Sequence, residues 1–251
     1  MNRTKIMNVD LKKITLSKND LNSFTEDERA FFLRCLNFAT DLSVFRKLMF
    51  YSIKTEPQGQ FRSQRSQSLC LIFVLMGKLF EGWKMIKKEL SKKNCEEISR
   101  SFNGKEKSSK KQLKKIFKTE LFKSFRNKGG FHYDTDCIAQ SWAQLEFGSI
   151  EIFFPKSSSW NFISNYDEIL IKCIFREYIK DYSENNFEKY INNVFSEIRK
   201  ACIHFDILLT GLFRFFIRKY SFEGQEFQIQ VSKTQRDVEL PFFVFHREPE
   251  D

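Results

Sequence analysis

Between Thr25 and Ser52, apolar residues recur at Phe31, Leu33, Leu36, Phe38, Leu42, Phe45 and Leu48, the spacing of a helix with a buried face. Thr25 stands three residues before Glu28, a capping box that sets where this helix starts. A polar loop with Pro57 and Gly59 follows, and a second helix is predicted from about Ser66 to Lys92. Its first half is apolar on every side, and its second half is amphipathic. The stretch "NGKEKSSKKQ" reads as a flexible basic connector. Leu113, Ile116, Phe117, Leu121 and Phe125 then predict a third helix, ended by Gly129 and Gly130. "DTDCIAQSWAQLEF" predicts a short fourth helix capped by Asp134 or Asp136, "SIEIFFP" a short strand, and "YDEILIKCIFREYIKDY" a further helix.

The strongest period comes next. Phe187, Ile191, Val194, Ile198, Ala201, Phe205, Leu208 and Leu212 alternate four and three apart, a heptad-like seam on a helix on the order of 50 Å long. Such a helix either spans a whole bundle or pairs across a dimer. After it, "EFQIQVSKTQRDVELPFFVF" alternates apolar and polar residues around a polar turn and predicts an appended β-hairpin. The expected class is all-α, a helical bundle with a long C-terminal helix and a small β-hairpin. The expected division is an N-terminal extension over 1–24, the bundle over 25–220, and the hairpin and tail over 221–251.

Composition adds little to the fold and more to the chemistry. The 251 residues suffice for one large core, and 30 Phe against 9 Gly and 4 Pro suit aromatic-packed helices. Six cysteines stand singly, with no pair or nearby histidine at zinc spacing, as expected of reduced, mostly buried thiols in a cytoplasmic protein. The first residues have no signal-peptide core, and the longest apolar run, "LCLIFVLM", is too short to cross a bilayer, so no membrane partner is expected. The formal net charge is +10. It is concentrated between Lys84 and Lys128, where sixteen Lys or Arg face five Glu. Such a block attracts polyanions, and its plainer explanation is a solvated helix face.

That block runs into "FRNKGGFHY", residues Phe125 to Tyr133. The stretch resembles the signature of the HEPN superfamily, an arginine followed by a polar residue and, after a short spacer, a histidine. Arg126, Asn127 and His132 fill those places, and Tyr133 directly follows the histidine, whereas one subgroup carries its tyrosine one position later. The resemblance implies a helical bundle acting as a homodimer, and a metal-independent endoribonuclease with no cofactor. It further implies a toxin or antiviral defence role, with an antitoxin or defence-system partner protein.

The chemistry can be stated without the resemblance. Attack of a 2′-hydroxyl on the adjacent phosphorus needs a group that moves protons near neutral pH, which suits His132, and a cation on the phosphorane oxygens, which suits Arg126. Asn127 would orient one of them. Lys114, Lys115, Lys118, Lys123, Lys128 and Tyr133 are the expected RNA-binding residues. The alternative is a non-catalytic helical module that binds nucleic acid or protein, with Arg126 capping a helix and His132 packing on its aromatic neighbours.

Other candidates are weaker. Arg199 and His204 repeat the motif inside the long helix, but five residues place them about 140° apart around its axis, and His204 is expected to be structural. His246 has no third ligand for a metal, Glu81 is an ordinary helix carboxylate or a partner for Arg126, and the three tryptophans suit a core. Walker loops, dinucleotide fingerprints, nucleophile elbows and zinc spacings are absent from the sequence.

Overall fold

The computed structural model describes residues 6–52, 61–92, 95–125, 152–153, 163–164 and 166–232. In chain order these form β1 (Ile6–Ile14), α1 (Lys18–Asn22), α2 (Glu26–Ser52), α3 (Phe61–Glu89), α4 (Glu96–Ser101), α5 (Gly104–Ile116) and α6 (Glu120–Ser124). There follow β2 (Ile152–Phe153), β3 (Ile163–Ser164), α7 (Tyr166–Tyr178), α8 (Phe187–Lys219) and β4 (Gly224–Ser232). The fold is a helical bundle that carries, among the described residues, two small two-stranded antiparallel sheets.

The seam helix is α8, 33 residues long. All eight heptad positions, from Phe187 to Leu212, are buried within this one chain, so the seam spans the bundle and packs against α2, α3, α4 and α5. Three aromatic clusters sit along it. Near its start Phe187 and Tyr190 meet Phe175, which also touches Phe125. At its middle Phe205 meets Phe38 and Phe117, and the Phe117 ring also stacks on Trp83. Near its end Phe216 and Tyr220 stack on Phe24. Each such pair contributes about 0.5–1.5 kcal/mol beyond the area it buries.

Helix α2 begins at the expected box: the Glu28 N–H bonds Thr25 Oγ1 at 3.3 Å, and the Thr25 N–H and hydroxyl bond Glu28 Oε2 at 3.2 and 2.9 Å. Glu28 is also buried beneath the end of α8, accepting from Lys219 Nζ at 2.8 Å and the Tyr220 hydroxyl at 2.7 Å. Lys219 bonds Glu97 of α4 as well, at 2.9 Å, so one polar knot ties three helix ends. Burial works against the Glu28 charge, but the bonds from Lys219, Tyr220 and Thr25 prevail and bring its pKa down to about 2.

Three expectations change. The basic stretch from Gly104 is helix α5, because Asn103 caps the amides of Lys105 and Glu106 at 2.8 and 3.3 Å while Glu106 returns to the Asn103 amide at 2.6 Å. Gly104 there is an N-terminal helix residue, not a break. The third helix is two pieces: Phe117 turns its ring into the core, and Thr119 Oγ1 bonds the Ile116 carbonyl at 2.7 Å, which ends α5 before α6 begins. Strand β4 pairs with the N-terminal strand β1, Ile6 opposite Ser232 through Ile14 opposite Gly224. The register sets Met7, Val9 and Leu11 opposite Val231, Ile229 and Phe227, with polar pairs between them. The chain before residue 25 is thus joined to the strand after α8. The second half of the expected hairpin and the expected fourth helix lie outside the described residues. The expected strand at "SIEIFFP" is β2, paired with β3.

Candidate nucleic-acid interface

Helix α5 is amphipathic in an unusual way, with a mixed polar and apolar underside and a lysine top. Glu106, Ser109, Leu113 and Ile116 are buried, and α5 packs on α8. Glu106 Oε1 accepts from Arg214 at 3.0 Å, and Ser109 Oγ lies 3.2 Å from His204 Nδ1. Gly211 makes the approach possible, because a Cβ there would stand 2.6 Å from Glu106 Cγ. His204 therefore has the structural place expected of it, and burial lowers its pKa.

Lys107, Lys111, Lys114 and Lys115, with Lys118 just past the helix end, are exposed. At 100° per residue the four on the helix share an arc of about 100° nearly opposite the buried face. Their ammonium groups have no hydrogen bond or ion pair among the described residues. The five glutamates of the basic block are otherwise engaged. Glu89 bonds Arg34 and Lys92, Glu96 bonds Arg100, Glu97 bonds Lys219, Glu106 bonds Arg214, and Glu120 bonds Lys123. The ridge is left without countercharge. Lys110 lies on its shoulder, half-buried, and burial lowers its pKa.

Of the residues expected to bind RNA, Lys114, Lys115 and Lys118 stand together on this ridge, while Lys123 belongs to α6 and reaches Glu120 at 2.6 Å. Lys107 and Lys111 were missed by sequence reasoning, because Gly104 and the two serines looked like a linker. The Asn103 and Glu106 spacing was the signal for a helix. Arg126, Asn127, Lys128, His132 and Tyr133 lie outside the described residues, as do His246, Trp142 and Trp160. The residue just before the motif is fixed: Phe125 is fully buried, its ring 5.3 Å from Phe73 and 6.1 Å from Phe175.

An open cleft beside the start of α5 is lined by Asn103, Lys105, Glu106, Asp206, Thr210 and Arg214. Its carboxylates are already paired, Glu106 with Arg214 and Asp206 with Arg46. Among the described residues no group of three or more His, Cys, Asp or Glu is placed to hold a metal ion, and no helix is long and apolar enough to cross a membrane. Cys35 and Cys202 are buried, and burial pushes both thiols up to about 12, which leaves them unreactive near neutral pH. Glu81 is exposed on α3, and Trp83 is a core residue. Comparison with protein-family models, with curated proteins and with solved structures finds no match.

Proposed function

We propose that this protein is an RNA-binding helical bundle whose α5 ridge holds the RNA backbone and whose Arg126, Asn127 and His132 cut it as a HEPN-like, metal-independent endoribonuclease. The observation that carries the binding half is the row of five exposed lysines without countercharge. Phosphates are the partner such a row favours, since each contact releases condensed counterions. The cutting half rests on the sequence from Arg126 to His132 and on the anchoring of Phe125 in the core just before it. A toxin or defence role, with a second copy and a partner protein, follows from the resemblance alone.

In this mechanism His132 takes the proton from the attacking 2′-hydroxyl or gives one to the leaving 5′-oxygen, and the Arg126 guanidinium binds the phosphorane oxygens. The products are a 2′,3′-cyclic phosphate and a 5′-hydroxyl. The test is incubation of purified protein with a mixed RNA pool in EDTA, beside Arg126→Ala and His132→Ala. Cyclic phosphate ends that fall about 100-fold or more in both variants are the expected result. Equal cutting by folded variants would remove the catalytic assignment, and intact RNA with retained binding would leave the non-catalytic module.

A further inference from the structure

We infer that α5 is a rigid phosphate-reading rod for double-helical RNA, preferred over single strands; this rests on the RNA-binding proposal above. The first ground is that α5 and α6 expose no aromatic ring among their described residues. Proteins that hold single strands supply aromatic rings on which the bases lie. Between residues 104 and 125 every aromatic ring, those of Phe117, Phe122 and Phe125, is buried in the core. The ridge therefore offers cations to phosphates and no platform to bases.

The second ground is rigidity. The rod is held from below at several points: the Asn103 and Glu106 capping box, the Glu106 and Arg214 pair, the Ser109 and His204 contact, and the burial of Leu113 and Ile116. Lys107 to Lys115 spans about 12 Å at 1.5 Å per residue. A fixed row of charges loses least entropy on a ligand whose phosphates are themselves fixed, and duplex RNA is read largely by shape and backbone. A single strand would have to be ordered along the row with no stacking in return.

The same geometry disfavours an anionic membrane. Surface-lying basic helices insert an apolar face beside their lysines, and the apolar side chains of α5, Leu113 and Ile116, are buried. What remains is a backbone reader indifferent to sequence.

The experiment measures fluorescence anisotropy of the full chain with a 2′-O-methylated RNA duplex and with one of its strands, since methylation removes the attacking hydroxyl. Three proteins are compared: wild type, Lys111→Gln/Lys114→Gln/Lys118→Gln, and a charge-matched control, Lys18→Gln/Lys180→Gln/Lys189→Gln, with circular dichroism checking the fold. The expected result is a duplex bound about tenfold tighter than the strand, a preference lost in the ridge variant and kept in the control. A strand bound as tightly as the duplex overturns the inference and leaves RNA binding standing. Equal losses in both variants would assign the effect to net charge and overturn the inference as well. No binding of either RNA overturns both proposals.

Discussion

Gly82 shows what one hydrogen atom in place of a methyl does here. A Cβ at this position would overlap the Phe38 ring, so α2 and α3 approach as closely as they do only because the residue is glycine. The ring cannot simply swing aside, being buried and held edge-on to Phe205 with centroids 4.9 Å apart. Gly82→Ala is expected to cost about 3 kcal/mol through overpacking. At this chain length that lowers the melting temperature by about 6–12 °C, measurable by circular dichroism. An unchanged melting curve would mean that the two helices are further apart. In the sequence Gly82 is one small residue inside an amphipathic run, and its role depends on Phe38, far back along the chain, so spacing alone had no means of revealing it.

At the scale of elements, helices were legible where one apolar face had to be buried, and less so where polar capping decided the boundary. Glu28 was read as half of a box with Thr25, and it is; that it also receives Lys219 and Tyr220 is a tertiary fact. Its lowered pKa has a consequence for acid stability. The folded state holds the carboxylate down to about 2, while the unfolded chain takes up the proton near 4.5, so the contribution is complete above pH 4.5 and is lost as pH falls from there toward 2. Glu28→Gln should therefore lower the urea midpoint at pH 7, and the gap to wild type should narrow steadily toward about pH 3. A gap of constant size would place the contribution elsewhere than in the charge. Helix α5 was hidden because its top is nearly all lysine and its buried face includes Glu106 and Ser109, leaving an apolar period too sparse to see. The split between α5 and α6 was hidden because Phe117 fits either a helix face or an inserted ring.

At the scale of the molecule, the seam of α8 is the clearest case in which sequence left two outcomes open and packing chose between them. Its heptad positions are consumed inside one chain, so a second copy, if the protein is a dimer, must use another surface. The pairing of β1 with β4 joins the two segments on either side of the bundle, a long-range contact that local alternation predicts only as two separate strands. Charge follows the same logic of scale. A block with sixteen cations looked diffuse in the sequence, yet folding matches its glutamates to partners and leaves the α5 row exposed and unmatched.

The most direct test of that row is the salt dependence of RNA binding, measured for wild type and for Lys107→Gln/Lys111→Gln/Lys114→Gln/Lys115→Gln/Lys118→Gln. If the ridge binds phosphates, the slope of log affinity against log salt should become shallower by about 3.5–4.5 in the variant, roughly 0.7–0.9 for each phosphate no longer neutralised. A folded variant that binds RNA with the wild-type slope would show that the nucleic-acid face of this protein is not α5.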